Sequence, residues 1–253
     1  MTSYEHGVPS WIDIGVADFD TAAAFYTGLF GWEIPEGDEA TGFYRSVTLD
    51  GKVVVGMSPM QMTPGPPFWT TYVNVDSADD VAAKVTDAGG QVLMPPMDVM
   101  DFGRMAILAD PTGAAIGLWQ PKSHPGAEVT NEPGTYCWSE LITNDLDAAS
   151  GFYAAVLGWE ARTSEGDMPY TEFQVGGQSV AGMMARPPAM PAMVPNFWGV
   201  YFAVADLQAS LAKALELGAT AMTDVIDTPA GPVVPLADPT GAALNLIQLA
   251  SHP

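Results

Sequence analysis

Basic residues are scarce in this 253-residue chain: 8 Lys and Arg stand against 30 Asp and Glu, a net charge of −22. Residues 1–126 hold 16 acids and 5 bases and the remainder 14 and 3, so each half carries −11. Such a surface repels phosphate backbones and anionic lipid, which argues against nucleic acid and membrane as partners. It draws in cations, although on an Ala-, Gly- and Pro-rich chain the same charge also serves solubility. Cysteine is almost missing. Cys137 stands alone, which excludes an internal disulfide and fits a reducing compartment. The three histidines, His6, His124 and His252, show no metal-ligand spacing. No apolar run approaches the length that crosses a bilayer, and the opening MTSYEHGVPSW lacks the basic and apolar regions of a signal peptide. A cytoplasmic protein is the expectation. Phosphate loops, dinucleotide fingerprints and Ser–His–Asp sets are absent as well.

What the chain has is a repeat. Ala109 to Pro125 reads ADPTGAAIGLWQPKSHP, and Ala237 to Pro253 reads ADPTGAALNLIQLASHP. Phe25-Tyr26 returns as Phe152-Tyr153, Gly31-Trp32 as Gly158-Trp159, Gly56-Met57 as Gly182-Met183, and Phe68-Trp69 as Phe197-Trp198. The offset drifts only between 126 and 129 positions, so the chain is a duplicated domain. With 48% hydrophobic residues it can bury a real core.

Within each half the local patterns repeat once more. Trp11 to Val16 reads as a strand, Asp18 as an N-cap, and Asp20 to Phe30 as a helix stopped by Gly31. Strands follow at Tyr44–Leu49 and Val53–Met57, with Asp50-Gly51 as the hairpin turn. After a Pro/Met loop from Ser58 to Pro67 come a strand at Thr70–Val75 and a helix at Ala78–Ala88. Three strands complete the half, at Gln91–Met94, Met105–Ala109 and Ala114–Trp119. In Asp110-Pro-Thr-Gly113 the proline presets φ and the glycine takes the turn conformation. The Pro/Met loop and its counterpart, Gly182 to Pro195, join the modules of each domain. Each reads either as an adaptable lid or as a seal between domains.

Strand–Asp–helix, then Phe-Tyr, then Gly-Trp, with Asp-Pro-Thr-Gly before a last strand, resembles the vicinal oxygen chelate superfamily. That group includes glyoxalase, bleomycin-resistance proteins, fosfomycin-resistance enzymes and extradiol dioxygenases. The likeness spans nearly the whole chain and is closest in kind to tandem two-domain glyoxalase-like proteins of actinobacteria. It implies an α+β fold of two domains, residues 1–122 and 135–253 around a 123–134 linker. Each domain would pair βαβββ modules into a cupped mixed sheet with helices outside. Metal enzymes of the superfamily hold a divalent ion with first-strand His, Glu or Gln and a carboxylate after the turn. Carried onto this chain, the first-strand positions fall on Trp11 and Trp138, and their second-module counterparts on Thr70 and Gly199. The closing carboxylate falls on Gly117 and Asn245. Indole only donates, glycine offers nothing, and Thr and Asn oxygens are weak neutral ligands. No metal or other cofactor is therefore expected, with an unorthodox site at Glu140 and Asn245 as the lesser option.

A strand places residues i and i+2 on one face. Trp11 thus shares a face with Asp13, Trp138 with Tyr136 and Glu140, Thr70 with Tyr72, Gly199 with Tyr201, and Gly117 with Trp119. If the sheets curl as in the superfamily, these faces wall a cup, with Gly117 and Gly199 leaving room. The candidate ligand-binding residues are Trp11, Thr70, Tyr72, Trp119, Tyr136, Trp138, Tyr201 and Asn245. Tyr and Trp attract a cationic ligand by about 0.5–2 kcal/mol each. Equally, aromatics on strands serve as core. Asp13 and Glu140 are the candidate catalytic residues, because a carboxylate against aromatic walls can act as general acid or base. The alternative is a structural acid paired with Arg or backbone N–H groups. His124 and His252, in Ser-His-Pro tails, are expected in solvent or as caps, and Cys137 as a small buried apolar residue. Two functions follow: metal-independent binding of an aromatic or cationic metabolite or antibiotic, or a lyase, isomerase or cyclase of secondary metabolism using Asp13 or Glu140. The expected partner is a small molecule. Two domains in one chain permit a monomer, and a homodimer stays open.

Overall fold

The computed structural model describes residues 4–59, 67–165 and 169–250. Four modules follow one another. The first holds β1 (Pro9–Gly15), α1 (Phe19–Phe30), β2 (Arg45–Leu49) and β3 (Lys52–Ser58). The second holds β4 (Trp69–Asn74), α2 (Ala78–Ala82), β5 (Gln91–Val99), β6 (Gly103–Ala109) and β7 (Ala115–Pro121). The third holds β8 (Tyr136–Thr143), α3 (Leu146–Leu157), β9 (Glu160–Thr163), β10 (Thr171–Val175) and β11 (Gln178–Ala185). The fourth holds β12 (Phe197–Ala203), α4 (Leu207–Glu216), β13 (Thr220–Ala221), β14 (Ile226–Thr228), β15 (Gly231–Ala237) and β16 (Ala243–Ile247).

Local chemistry sets the boundaries. Asp18 and Asp145 cap α1 and α3 by accepting from Thr21 N at 3.3 Å and Ala148 N at 3.0 Å. Asp50 and Gly51 both take positive φ, 51° and 72°, as a two-residue hairpin between right-twisted strands requires. The second helix is shorter than its apolar spacing suggests and ends at Ala82 rather than Ala88. Beyond it the bonds Lys84 N to Val81 O and Val85 N to Ala82 O tighten the chain into turns. The run Val85-Thr86-Asp87 favours helix poorly, which explains the early stop. Conversely, β5 continues past Met94 to Val99, with one register shift between Val92 and Met94 and a second across Pro95-Pro96. Because β5 is an edge strand, two missing N–H groups are tolerated there.

The described strands fall into one seven-stranded and one nine-stranded sheet, both with parallel and antiparallel pairs. The fold is α+β. Two compact units emerge, and each takes one module from each half of the sequence. Unit one comprises Met1–Trp11, Thr70–Gly126 and Trp138–Gly199; unit two comprises Ile12–Trp69, Ala127–Cys137 and Val200–Pro253. In unit one, Val81, Leu108, Ile116 and Leu118 pack with Phe152, Trp159, Phe173 and Trp198. In unit two, Ile14, Phe25, Trp32 and Met57 pack with Phe202, Leu207, Leu244 and Leu246.

The doubled Asp-Pro-Thr-Gly turn explains much of this pairing. Asp110 Oδ1 accepts from Thr112 N, Thr112 Oγ1 and Ala114 N, which closes its own turn. Its Oδ2 accepts from the phenol of Tyr153 at 2.9 Å, in the other half of the sequence, and Trp198 Nε1 donates to that phenol at 2.8 Å. Unit two repeats the relay: Trp69 Nε1 donates to Tyr26 Oη at 3.1 Å, and Tyr26 Oη to Asp238 Oδ2 at 2.9 Å. Both phenols are fully buried, and burial together with the neighbouring aspartate holds each well above the usual phenol range. An uncompensated buried carboxylate is costly, so each lock favours one module pairing over others.

Candidate functional site

The first candidate cluster lies in unit two, where Asp13 of β1 sits in register with Gly56 of the parallel strand β3. Tyr44, one residue ahead of β2, folds its phenol back and donates to Asp13 Oδ2 at 3.1 Å. A Cβ at position 56 would collide with that phenol oxygen and lie 2.8 Å from Asp13 Cβ. Glycine therefore makes the floor on which the tyrosine lies.

Unit one carries the repeat-related cluster, with Glu140 of β8 in register with Gly182 of β11. Tyr170, one residue ahead of β10, is hydrogen-bonded to Glu140 and again lies over the glycine. Here a third member joins: Trp138 Nε1 donates to Tyr170 Oη at 2.9 Å. Indole nitrogen can only donate, so Tyr170 turns its own hydrogen to Glu140. Burial pushes the Tyr170 phenol well above its usual value, and the charge of Glu140 adds to the rise. Glu140 is itself buried, at 6% exposure. The result is a directional chain, indole to phenol to carboxylate, in a part-buried setting.

The sequence reading singles out neither Tyr44 nor Tyr170: it makes Tyr44 only the first residue of a strand that begins at Arg45, and Tyr170 stands one residue ahead of β10. The available signal was their offset of 126 positions, the same as that of Gly56 and Gly182. Of the residues anticipated from the sequence, Trp138 and Glu140 are brought together through Tyr170. Asn245 and Tyr201 are register partners on parallel β16 and β12, and Asn245 Nδ2 donates to Val200 O at 3.1 Å. Tyr72 is buried on β4, and its ring covers Gly117, so the room that glycine was expected to leave is taken. Thr70 is half-buried on β4. Tyr136 packs in the core of unit two. Trp11 and Trp119 are buried against His124, whose ring lies 4.4 Å and 5.7 Å from theirs, centroid to centroid. This imidazole is therefore half-buried among aromatics rather than a solvated tail residue. His252 and most of the Ser58–Pro67 loop lie outside the described residues.

At the positions where the resemblance implies metal ligands, the donors are the indoles of Trp11 and Trp138, the hydroxyl of Thr70 and the amide of Asn245. The backbone at Gly117 lies under an aromatic ring. These groups do not fit a divalent ion, and among the described residues no three His, Cys, Asp or Glu side chains cluster as ligands. Burial pushes the Cys137 thiol up to about 12, which leaves it protonated at neutral pH. An open groove of about 1050 Å³ runs over unit two beside α1, lined by Phe19, Thr27, Trp32, Ile34 and Arg45 among others. None of the residues anticipated from the sequence lines it. The carboxylate clusters carry the more specific chemistry.

Four βαβ-type modules, paired by repeated Tyr–Asp locks and carrying repeat-related carboxylate sites, define a tandem glyoxalase-like protein. The chain belongs to the Glyoxalase/Bleomycin resistance protein/Dioxygenase superfamily, whose model matches residues 9–118, while a glyoxalase-like domain model matches 139–247. It is 42% identical over 98% of its length to CFP32 of Mycobacterium tuberculosis, whose name places that protein provisionally among the glyoxylases; 97% of the relative is covered. It is 38% identical to the anthracycline biosynthesis protein DnrV of Streptomyces peucetius, covering 98% of this chain and 96% of that one. Among solved structures it is similar in fold to the Mn(II)-bound glyoxalase of Novosphingobium aromaticivorans. The TM-score there is 0.64 at 17% identity, over 98% of this chain and 87% of that one. Among the described residues no helix is long and apolar enough to cross a membrane.

Proposed function

We propose that the protein binds a small aromatic or cationic metabolite without a metal, using the clusters Asp13–Tyr44 and Trp138–Tyr170–Glu140 as its polar anchors. The observation that carries this reading is the twofold occurrence of a carboxylate held by a tyrosine over a glycine floor. A carboxylate has several acceptor positions, so one held by a phenol still has capacity for an ammonium or phenol donor from a ligand. Flat phenol and indole surfaces beside it suit a planar ring. The net charge of −22 favours the approach of cations. The relatives named for anthracycline biosynthesis point to secondary metabolism and to fused aromatic ring systems as the ligand class. Calorimetric titration with an anthracycline carrying its amino sugar, and with its aglycone, tests the reading. Binding of the amine form is expected, with a clear loss in Asp13→Asn or Glu140→Gln. Silence from both compounds overturns it.

One finding favours a second reading. Two relatives whose names state a biosynthetic role align over nearly their whole length. On that reading the protein is a lyase, isomerase or cyclase in which Asp13 or Glu140 moves a proton on the bound molecule. Tyr170, with its hydrogen directed at Glu140 by Trp138, would hold that carboxylate in position for the transfer. Glu140→Gln and Asp13→Asn should then abolish turnover of an aromatic polyketide substrate while leaving the circular dichroism unchanged. Undiminished turnover in both variants ends this second reading.

A further inference from the structure

We propose that the groove of unit two is a binding site for an amphiphilic amine, whose cation takes at Glu33 the place that Arg162 holds at Glu160 in unit one, while its apolar body lies along α1. The site is separate from the tyrosine-held carboxylates, and it arises from a difference between the two repeats.

In unit one the segment after the helix forms a strand along its whole length. There β9 pairs antiparallel with β10 over four residues, Glu160 with Gln174, Ala161 with Phe173, Arg162 with Glu172 and Thr163 with Thr171. The Arg162 guanidinium turns back to Glu160 Oε2 at 2.9 Å. Unit two starts in the same way. Trp32 and Glu33 repeat Trp159 and Glu160, and Glu33 makes one antiparallel bridge with Thr48, N–H to carbonyl in both directions at 2.8 and 3.0 Å. Two residues on, where unit one has Arg162, stands Pro35, which has no N–H to give to the strand edge. Its carbonyl accepts from Arg45 Nε at 3.1 Å instead. The ladder stops after a single bridge, and the groove of about 1050 Å³ lies between this segment, β2 and α1.

The same exchange keeps the acid and removes its base. The Glu33 carboxylate has the hydroxyl of Thr48 as its hydrogen-bond donor, 3.1 Å from Oε2. Asp20 and Glu36 also line the groove, the latter where unit one has Thr163. Among the described residues none of these three carboxylates has a Lys, Arg or His within ion-pair distance. Arg45 does not compensate them. Its guanidinium lies over the Phe19 ring at 3.9 Å and donates to the carbonyls of Pro35 and Phe43. Between the acids the walls are apolar, from Ala23 and Ala24 of α1 and from Ile34 and Pro35. A trough of this size takes a small organic molecule, and apolar walls edged by unpaired carboxylates select one that is apolar along its body and carries a protonated amine. The net charge of −22 concentrates cations near it.

The probe is 4-phenylbutylammonium, with 4-phenylbutanol as its neutral counterpart, followed through the amide resonances of the isotope-labelled chain. Wild type is expected to show saturable shifts at Ala23, Ala24 and Ser46 with the amine, and to bind the alcohol at least about fivefold more weakly. Pro35→Arg rebuilds the arrangement of unit one, with an N–H for the ladder and a guanidinium for Glu33. It should bind the amine at least about tenfold more weakly than wild type, and Glu33→Gln about threefold or more. Both positions are exposed, so the variants should fold, and the comparison of amine with alcohol in wild type stands without them. Equal affinity for amine and alcohol, or undiminished affinity in folded Pro35→Arg, overturns the proposal. Shifts confined to the surroundings of Gly56 and Gly182 overturn it as well, because the amine then uses the tyrosine-held carboxylates. Absence of any shift overturns the groove site alone, while the anthracycline titration judges the binding reading separately.

Discussion

Replacing Tyr153 by Phe removes one oxygen and leaves the ring. In the native unit that oxygen donates to Asp110 Oδ2 at 2.9 Å and accepts from Trp198 Nε1 at 2.8 Å, with the tyrosine wholly buried. The ring stays stacked on Trp159, 5.2 Å between centroids, and edge-on to Trp198, so packing is nearly preserved. Loss of a hydrogen bond to a charged acceptor costs about 1.5–3 kcal/mol, and the indole N–H left unpaired in the interior adds about 1–3 kcal/mol. A destabilisation of about 2.5–6 kcal/mol is therefore expected on these magnitudes. Urea unfolding followed by tryptophan fluorescence reads it, since Trp159 and Trp198 lie in the same unit. Tyr26→Phe should act alike on unit two through Asp238 and Trp69. Because the two relays share no partner, the double variant should lose the sum within about 0.5 kcal/mol. A shift below about 0.5 kcal/mol for Tyr153→Phe, the size of an ordinary surface substitution, would refute the claim that these locks hold the modules together.

Three further outcomes are expected. Tyr26 and Tyr153 sit above the usual phenol range, and Tyr4 and Cys137 are raised to about 12 from 10.0 and 9.0. Groups with raised folded values contribute stability in full below their unfolded values and lose it as pH climbs through the folded ones. Thermal unfolding should therefore be insensitive to these groups up to about pH 9 and fall between there and about pH 12; a flat profile to pH 12 contradicts the burial of these groups. Cys137 should react with a disulfide reagent at pH 8 at least about tenfold more slowly in the folded than in the urea-unfolded chain. Burial pushes its thiol from 9.0 up to about 12 and cuts the thiolate fraction, partly offset by the greater nucleophilicity of a high-pKa thiolate. Comparable rates would show the thiol to be accessible and ordinary. Gly182→Ala puts a Cβ into the Tyr170 phenol and within 2.8 Å of Trp138 Nε1, so it should cost about 1–3 kcal/mol by overpacking. The same change should also weaken ligand binding at Glu140, whereas stability and affinity both unchanged would mean that the glycine floor is unnecessary.

Much of the fold is legible in the chain because its punctuation is chemical. Capping aspartates, the Asp50-Gly51 turn and the Asp-Pro-Thr-Gly turns mark element ends whatever the tertiary context. The way modules combine into compact units is not written in that punctuation. It rests on side chains such as Tyr153 and Asp110, 43 residues apart, which meet only once both modules exist. Strand alternation put Trp138 and Glu140 on one face, and Tyr170 does join them. The two tyrosines stand one residue ahead of β2 and β10, where alternation says little about which way a side chain turns, and their shared offset was the signal that pairs them. Alternation also treats a glycine as empty space. At Gly117 the space belongs to Tyr72, and at Gly56 and Gly182 it belongs to the phenols that hold the carboxylates. His124 was misplaced because a residue past a strand end in a Ser-His-Pro tail gives no sign of folding back onto two indoles.

The central claim is that the tyrosine-held carboxylates anchor a planar ligand. Its most direct test is a calorimetric titration of the amino-sugar anthracycline into the wild-type chain, Asp13→Asn and Glu140→Gln under one buffer and salt condition. Saturable binding to wild type is expected, at least about tenfold weaker in one or both variants, the loss that follows from about 1.4 kcal/mol at a charge-assisted hydrogen bond. Binding of equal strength in all three folded chains would contradict it.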